Sequence, residues 1–225
     1  MATTFAFDVY GTLIDPLGIA TELQTYGGEK AQGAAELLRS KQLEYSFRRA
    51  VMGAYLPFTE VTGAALNYAC DVAGLTLSEK ARQSIMAQYR ELPTFPEVQT
   101  ALASLRDADA DADARVFAFS NGMPADVAAL LDHAGISEFF EGVVSVDDVQ
   151  TFKPDPRVYA HFTTVTESKP ENTWLVSSNA FDVIGAAACG WNTAWVRRSS
   201  KAPFDAWEHT PDRVLSSLDE TVGLL

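Results

Sequence analysis

Hydrophobic and polar positions divide the chain into two kinds of territory. At residues 5–7 an apolar run, Phe-Ala-Phe, stops at Asp8 and is followed by Val9, Tyr10, Gly11 and Thr12. A short apolar run cut off by a carboxylate and a glycine predicts a buried strand that ends in a tight loop. From about residue 16 to 91 the pattern turns helical, with no convincing strand. Leu37, Leu38, Lys41, Tyr45 and Arg48 recur at spacings of three and four and predict a helix over 34–52. Val61, Ala65, Tyr68 and Ala69 predict another over 59–73, stopped by Gly74. Ser78 is a suitable N-cap for a third helix, running to residue 91. Two prolines within residues 92–96 then break the pattern and mark a hinge between units.

Beyond residue 97 strand and helix patterns alternate. Helices are predicted over 97–106, 124–134, from the loop at 151–156 to about 165, and over 181–189. Strands are predicted over 115–119, 142–146, 173–176 and 193–196. Such alternation means a parallel sheet wrapped by helices. The helical block separates the first strand from the others, so it reads as an insertion that emerges beside Asp8. An Asp-Ala repeat at 107–114 reads as a solvated acidic loop rather than a metal-binding tract.

Composition changes this picture only by exclusion. The chain has 225 residues, 47% of them hydrophobic, and a formal net charge of −13, which argues against nucleic acid and anionic membrane surfaces as partners. Its two cysteines, Cys70 and Cys189, lie in apolar settings and suggest no disulfide framework or zinc site. No apolar run reaches membrane-spanning length. The chain enters a strand almost at once, which reads as no signal peptide, and a reduced cytoplasmic location is the expectation.

The candidate chemistry sits at the strand ends. Parallel strands bring their carboxyl ends to one edge, where ligands of open α/β sheets bind. Asp8 ends the first strand, Ser120 and Asn121 end another, Lys153 follows a third, and Ser177, Ser178, Asn179 and Asp182 follow a fourth. Gly11 lets the first loop curl so that backbone N–H groups can face an anion. On its own stretch Asp8 reads equally well as the cap of a helix or turn, and Arg39, with Arg48 and Arg49 nearby, reads as a solvated helical arginine. It is the convergence of polar tips on four strands that favours a site.

The segments FAFDVYGTL (5–13), LLRSKQLEYSF (37–47), FSNGMP (119–124), SVDDVQTFKPDPRVY (145–159) and VSSNAFD (176–182) together resemble the haloacid dehalogenase superfamily, and within it the (S)-2-haloacid dehalogenases, over essentially the whole chain. The resemblance implies a Rossmann-like parallel-sheet core (1–15 and 96–225) with an inserted helical cap (16–95). It implies Asp8 as a covalent nucleophile toward a small 2-haloalkanoic acid, with water as second substrate and halide as product. Thr12 and Lys153 would orient Asp8 and hold it ionised. Arg39, Asn121 and Phe58 would receive the halide, and Ser120 with loop N–H groups the substrate carboxylate. Asp182, with Ser177 and Asn179 and supported by Tyr159, would assist the attacking water. Tyr10, Leu43 and Phe181 would line the substrate pocket.

The phosphatases of the superfamily look different: a second aspartate stands where this chain has Tyr10, and paired acids hold Mg²⁺ where this chain has only Asp182. Mg²⁺ favours octahedral oxygen ligands, carboxylates among them. A phenol of pKa near 10 is also a poor acid for a leaving alcohol, whereas a halide needs no proton. The expectation is therefore no metal and no cofactor. Ser40 stands where a glutamine is common and Phe181 where a tryptophan is common, which leaves halogen and chain length open. A magnesium-dependent phosphatase, a fluoroacetate-type defluorinase and a non-catalytic binding protein are the rival readings. Relatives are often homodimers through the cap, so a homodimer is implied.

Overall fold

The computed structural model describes residues 3–108 and 114–225. Most of the Asp-Ala repeat at 107–114 therefore lies outside the described residues.

Strand β1 (Thr4–Asp8) is buried along its whole length, as its unbroken apolar run requires of a strand covered on both faces. It pairs in parallel with β2 (Arg115–Ser120) on one side and β4 (Thr173–Ser177) on the other. With β3 (Gly142–Ser145), β5 (Asn192–Val196) and β6 (Arg213–Leu215) the sheet has six parallel strands in the order β3-β2-β1-β4-β5-β6. The register sets Asp8 against Phe119 and Ser120 against Ser145, while Phe7 pairs with Val176, one residue before Ser177. The polar tips thus share one edge with Asp8 at its centre.

Helices α5 (Val98–Ala108), α6 (Pro124–His133), α7 (Pro156–Val165) and α8 (Ala180–Ala188) cover the sheet. They lie within a residue or two of the spans predicted from periodicity. Strand β6 and the 3₁₀ turn Leu218–Leu224, which packs on α5, carry no such sequence signal. β6 is three residues long with its first two exposed, too short for a period-two pattern to register.

Between β1 and α5 lie α1 (Ala20–Gly27), α2 (Ala31–Met52), α3 (Phe58–Ala73) and α4 (Glu79–Gln88). Gly53 and Gly74 close α2 and α3 in the left-handed conformation, φ 61° and 65°. Ser78 caps α4 by accepting from Ala81 N–H. The chain leaves and re-enters the core along two antiparallel stretches: Asp15 N–H donates to Pro93 O (2.8 Å) and Phe95 N–H to Leu13 O (3.1 Å). Pro93 serves there only through its carbonyl, so its missing N–H costs nothing.

The residues whose spacing predicts α2 are not all on its buried face. Ala31, Ala35, Leu38, Gln42 and Ser46 are buried, whereas Arg48 is exposed and Lys41 and Tyr45 are half-buried. Lys41 and Arg48 both pair with Glu44 and lie near the Tyr45 ring. Two of the buried positions, Gln42 and Ser46, are polar and hydrogen-bonded within the protein, so hydropathy does not mark them as buried. On α3 Tyr68 is likewise outward, against Tyr45 and Lys41.

Candidate active site

β1 delivers Asp8 to the sheet edge, and the loop after it turns back at once. Val9 O accepts from both Leu13 N–H (2.9 Å) and Ile14 N–H (3.0 Å), with Gly11 at φ 97° making the turn possible. That turn brings the Thr12 hydroxyl to 2.8 Å from Asp8 Oδ2. The loop after β4 closes on the same oxygen. Asn179 Nδ2 donates to Asp8 Oδ2 at 2.7 Å and the Ser177 hydroxyl donates at 3.3 Å. Ser178, a polar strand tip to which the sequence assigns no role, fastens the two loops together: its N–H donates to Thr12 Oγ1 (2.9 Å) and its hydroxyl to Gly11 O (2.5 Å).

The other carboxylate oxygen, Oδ1, faces Lys153 Nζ at 3.2 Å. Lys153 is fully buried, and its three N–H donors are all taken, by Asp8, by Phe119 O (2.9 Å) and by Asp182 Oδ2 (2.7 Å). Its own N–H donates to Asn121 Oδ1 (3.0 Å), which ties the loop after β3 to the tip of β2. Asp182, in the first turn of α8, touches Lys153 on one side and the Tyr159 hydroxyl (2.8 Å) on the other. Burial pushes its carboxyl up to about 6; the Lys153 ammonium pulls it down and Asp8 adds to the rise. Tyr159 is held neutral by burial and by the Asp182 charge.

The resemblance groups Ser177 and Asn179 with Asp182 on the side of the water; the structure places both on Asp8. Ser120 is also differently employed. Its oxygen accepts from Gly122 N–H (3.0 Å), and the buried side chain shapes the loop rather than lining the cavity.

The helical insertion supplies the opposite wall. Arg39 of α2 reaches across, its Nη2 donating to Tyr10 O (2.9 Å) and, at 3.4 Å, to Asn179 Oδ1. Burial lowers its pKa and Asp8 opposes that. Leu43, Phe58, Tyr10 and Phe181 complete a cavity of about 10 Å³ whose polar walls are Asp8, Arg39, Asn121 and Asn179. Tyr10 packs on Phe58 (ring centroids 5.5 Å) and Phe181 edge-on against Phe47 (5.0 Å). In this closed arrangement the cavity has room for about one water molecule, so a larger ligand needs these aromatic walls or the insertion to move. The insertion is latched to the core by Arg90 (2.6 Å) and Thr59 (2.8 Å), both on Asp126, and by Tyr55 on Asp147 (2.6 Å).

The donor set does not suit a divalent cation. The Lys153 ammonium already stands between the two nearby carboxylates, and the Tyr10 ring occupies the position two residues after Asp8. Among the described residues no group of three or more His, Cys, Asp or Glu side chains could hold a metal ion.

A parallel α/β core with a carboxylate at the tip of its first strand, closed over by a helical insertion, is the architecture of a capped hydrolase. The chain belongs to the haloacid dehalogenase-like hydrolases, whose family model matches residues 2–190. Among its curated relatives, (S)-2-haloacid dehalogenase 2 of Pseudomonas sp. (strain CBS-3) is 35% identical over 97% of this chain and 93% of that protein. Haloacetate dehalogenase H-2 of Moraxella sp. (strain B) is 34% identical, covering 98% and 96%. The structure of L-2-haloacid dehalogenase from Xanthobacter autotrophicus with chloropropionic acid covalently bound superimposes with a TM-score of 0.91 at 31% identity, over 100% of this chain and 98% of that one.

Proposed function

We propose that this chain is a metal-independent (S)-2-haloacid dehalogenase in which Asp8 forms an ester with the substrate. The observation that carries this reading is the unequal treatment of the two Asp8 oxygens. Oδ2 accepts from Thr12, Ser177 and Asn179, whereas Oδ1 has only Lys153 and is the freer nucleophile. Oδ1 attacks C2 from the face opposite the halogen, the carbon–halogen bond breaks, and halide departs with the bonding electrons. Arg39, Asn121 and Phe58 receive it. The substrate carboxylate is held by the N–H groups of the neighbouring loops, whose turn Ser120 fixes through Gly122, with Tyr10, Leu43 and Phe181 around the alkyl group.

Water then attacks Asp8 Cγ while ionised Asp182 takes its proton. Negative charge develops on Oδ2, where Thr12, Ser177 and Asn179 already aim three donors, a pre-formed oxyanion hole. The Cγ–Oδ1 ester bond breaks, the alkoxide takes the proton held by Asp182, and loss of the second water proton to solvent regenerates the Asp8 carboxylate. Inversion occurs once at C2, so the product is the (R)-2-hydroxy acid. No step requires a metal or other cofactor.

The similarity to a haloacetate dehalogenase favours haloacetates as further substrates of the same site. We place the core at residues 1–15 and 96–225 and the cap at 16–95, joined by the paired stretches near Ile14 and Thr94. Exposed Val51, Met52, Tyr68 and Val72 on α2 and α3 support a homodimer through the cap, which light scattering would test. A cytoplasmic setting agrees with two unpaired cysteines and with the absence, among the described residues, of a helix long and apolar enough to cross a membrane.

Halide release from (S)-2-chloropropionate in excess EDTA, with the chirality of the lactate formed, tests the reading. Release with (R)-lactate is expected. Release of phosphate from small phosphomonoesters with Mg²⁺, and no halide, would return the protein to the phosphatases.

A further inference from the structure

We propose that Gln42 is a positioning residue for Arg39, and that Gln42 and Thr62 form a directional hydrogen-bond relay fixing the guanidinium over Asp8. The proposal rests on the reading of Arg39 as the group that receives the halide. Gln42 lies on the buried face of α2, fully inaccessible, at a position where an apolar side chain would serve packing better. Both ends of its amide are nevertheless engaged. Arg39 Nη1 donates to Gln42 Oε1 (2.9 Å), Gln42 Nε2 donates to Thr62 Oγ1 (2.6 Å), and the Thr62 hydroxyl donates to Phe58 O (2.8 Å).

Each bond dictates the sense of the next. A guanidinium can only donate, so the oxygen of the amide must face Arg39 and its NH₂ must face Thr62. Thr62 then has its hydrogen left for the carbonyl of Phe58, the residue that opens α3 and whose ring lines the cavity. The relay therefore joins two of the expected halide contacts, Arg39 and Phe58, through one chain of buried bonds.

The other end of the guanidinium is fixed by Tyr10 O and Asn179 Oδ1. Of its five N–H groups three are thus committed, which leaves Nε–H and one Nη1–H for a ligand. Without an acceptor at Gln42, Nη1 would lose its anchor, and the planar fork could rotate about the Tyr10 contact. The guanidinium would then no longer be held in a single orientation at the cavity wall.

Gln42→Met conserves length and volume and removes the acceptor. With (S)-2-chloropropionate we expect kcat to fall at least tenfold with KM changed less than threefold, because the contact to the halide strengthens as the bond breaks. Bromide should become a weaker product inhibitor. A thermodynamic cycle with Arg39→Lys gives the readout that a packing role would not produce. In the Arg39→Lys background Gln42→Met should cost less than twofold, since a lysine does not share the fork geometry that Gln42 aligns. Thr62→Val, one bond further out, should show the same coupling with a smaller loss and covers the case of a poorly folding Gln42 variant. Equal fold losses in both backgrounds, or wild-type turnover and bromide inhibition in Gln42→Met, would overturn the proposal. If the wild-type enzyme released no halide, the reading of the site itself would fall, and the relay's role with it.

Discussion

Replacing Lys153 by Met separates the electrostatic role of the buried ammonium from its packing. Methionine follows nearly the same path over the Phe119 ring, which the Lys153 Nζ approaches to 3.9 Å, so little cavity is created. What is lost is a positive charge 3.2 Å from Asp8 and 2.7 Å from Asp182. At an effective dielectric of about 20 each attraction amounts to about 5–6 kcal/mol, most of it offset by the cost of burying the charges. Removing one partner of such a pair leaves that cost uncompensated, and about 3–5 kcal/mol of destabilisation is expected at pH 8. For a chain of this length that is a fall of about 6–20 °C in melting temperature.

The pH dependence has a definite sign. Asp182 is already raised to about 6 with Lys153 present, and without the ammonium it rises further. A carboxyl raised in the folded state makes folding less favourable wherever it is ionised, that is, above its folded pKa. As pH falls through that value the folded protein takes up a proton that the unfolded chain does not yet bind, and the penalty is relieved. The deficit of Lys153→Met relative to wild type should therefore shrink between pH 8 and pH 5. Thermal and denaturant unfolding at both pH values measure it. A variant as stable as wild type at pH 8, or one with the same deficit at both, would refute the reasoning.

Two other variants test the site and its packing. Asp182→Asn should release about one equivalent of halide per enzyme and then stop, with the ester retained on Asp8 and visible by mass spectrometry; in the wild type the hydrolytic step should slow as pH falls below about 6, where Asp182 becomes protonated. Gly185→Ala would set a methyl group 2.7 Å from Pro154 Cβ and closer still to the Tyr159 hydroxyl, so overpacking by about 1–3 kcal/mol and a lower kcat are expected, measured by urea unfolding and steady-state halide release.

The nucleophile, the lysine and the edge they share are legible in the sequence because parallel strands ending in polar residues leave few other arrangements. Asp8, Lys153, Asn179 and Asp182 are named by strand ends alone. Arg39 is not: on periodicity it is a surface arginine, and only the resemblance of its segment draws it toward the site. Gln42 is not named either, although a glutamine three residues after Arg39, in step with Ala31, Ala35 and Leu38, breaks an otherwise small and apolar stripe. A polar residue in register with a buried face is the signal that could have found it. The assignment of Ser177 and Asn179 to Asp8, and of Ser120 to Gly122, is not readable beforehand, because residues on the tip of one strand differ in direction by a single rotamer.

The covalent ester is tested most directly by a single turnover in H₂¹⁸O with enzyme in excess of (S)-2-chloropropionate. If water attacks Asp8 Cγ, the label enters the Asp8 carboxylate and the lactate formed in that turnover is unlabelled. Labelled lactate with unlabelled Asp8 would mean that water attacks C2 directly, and Asp8 would not be the nucleophile.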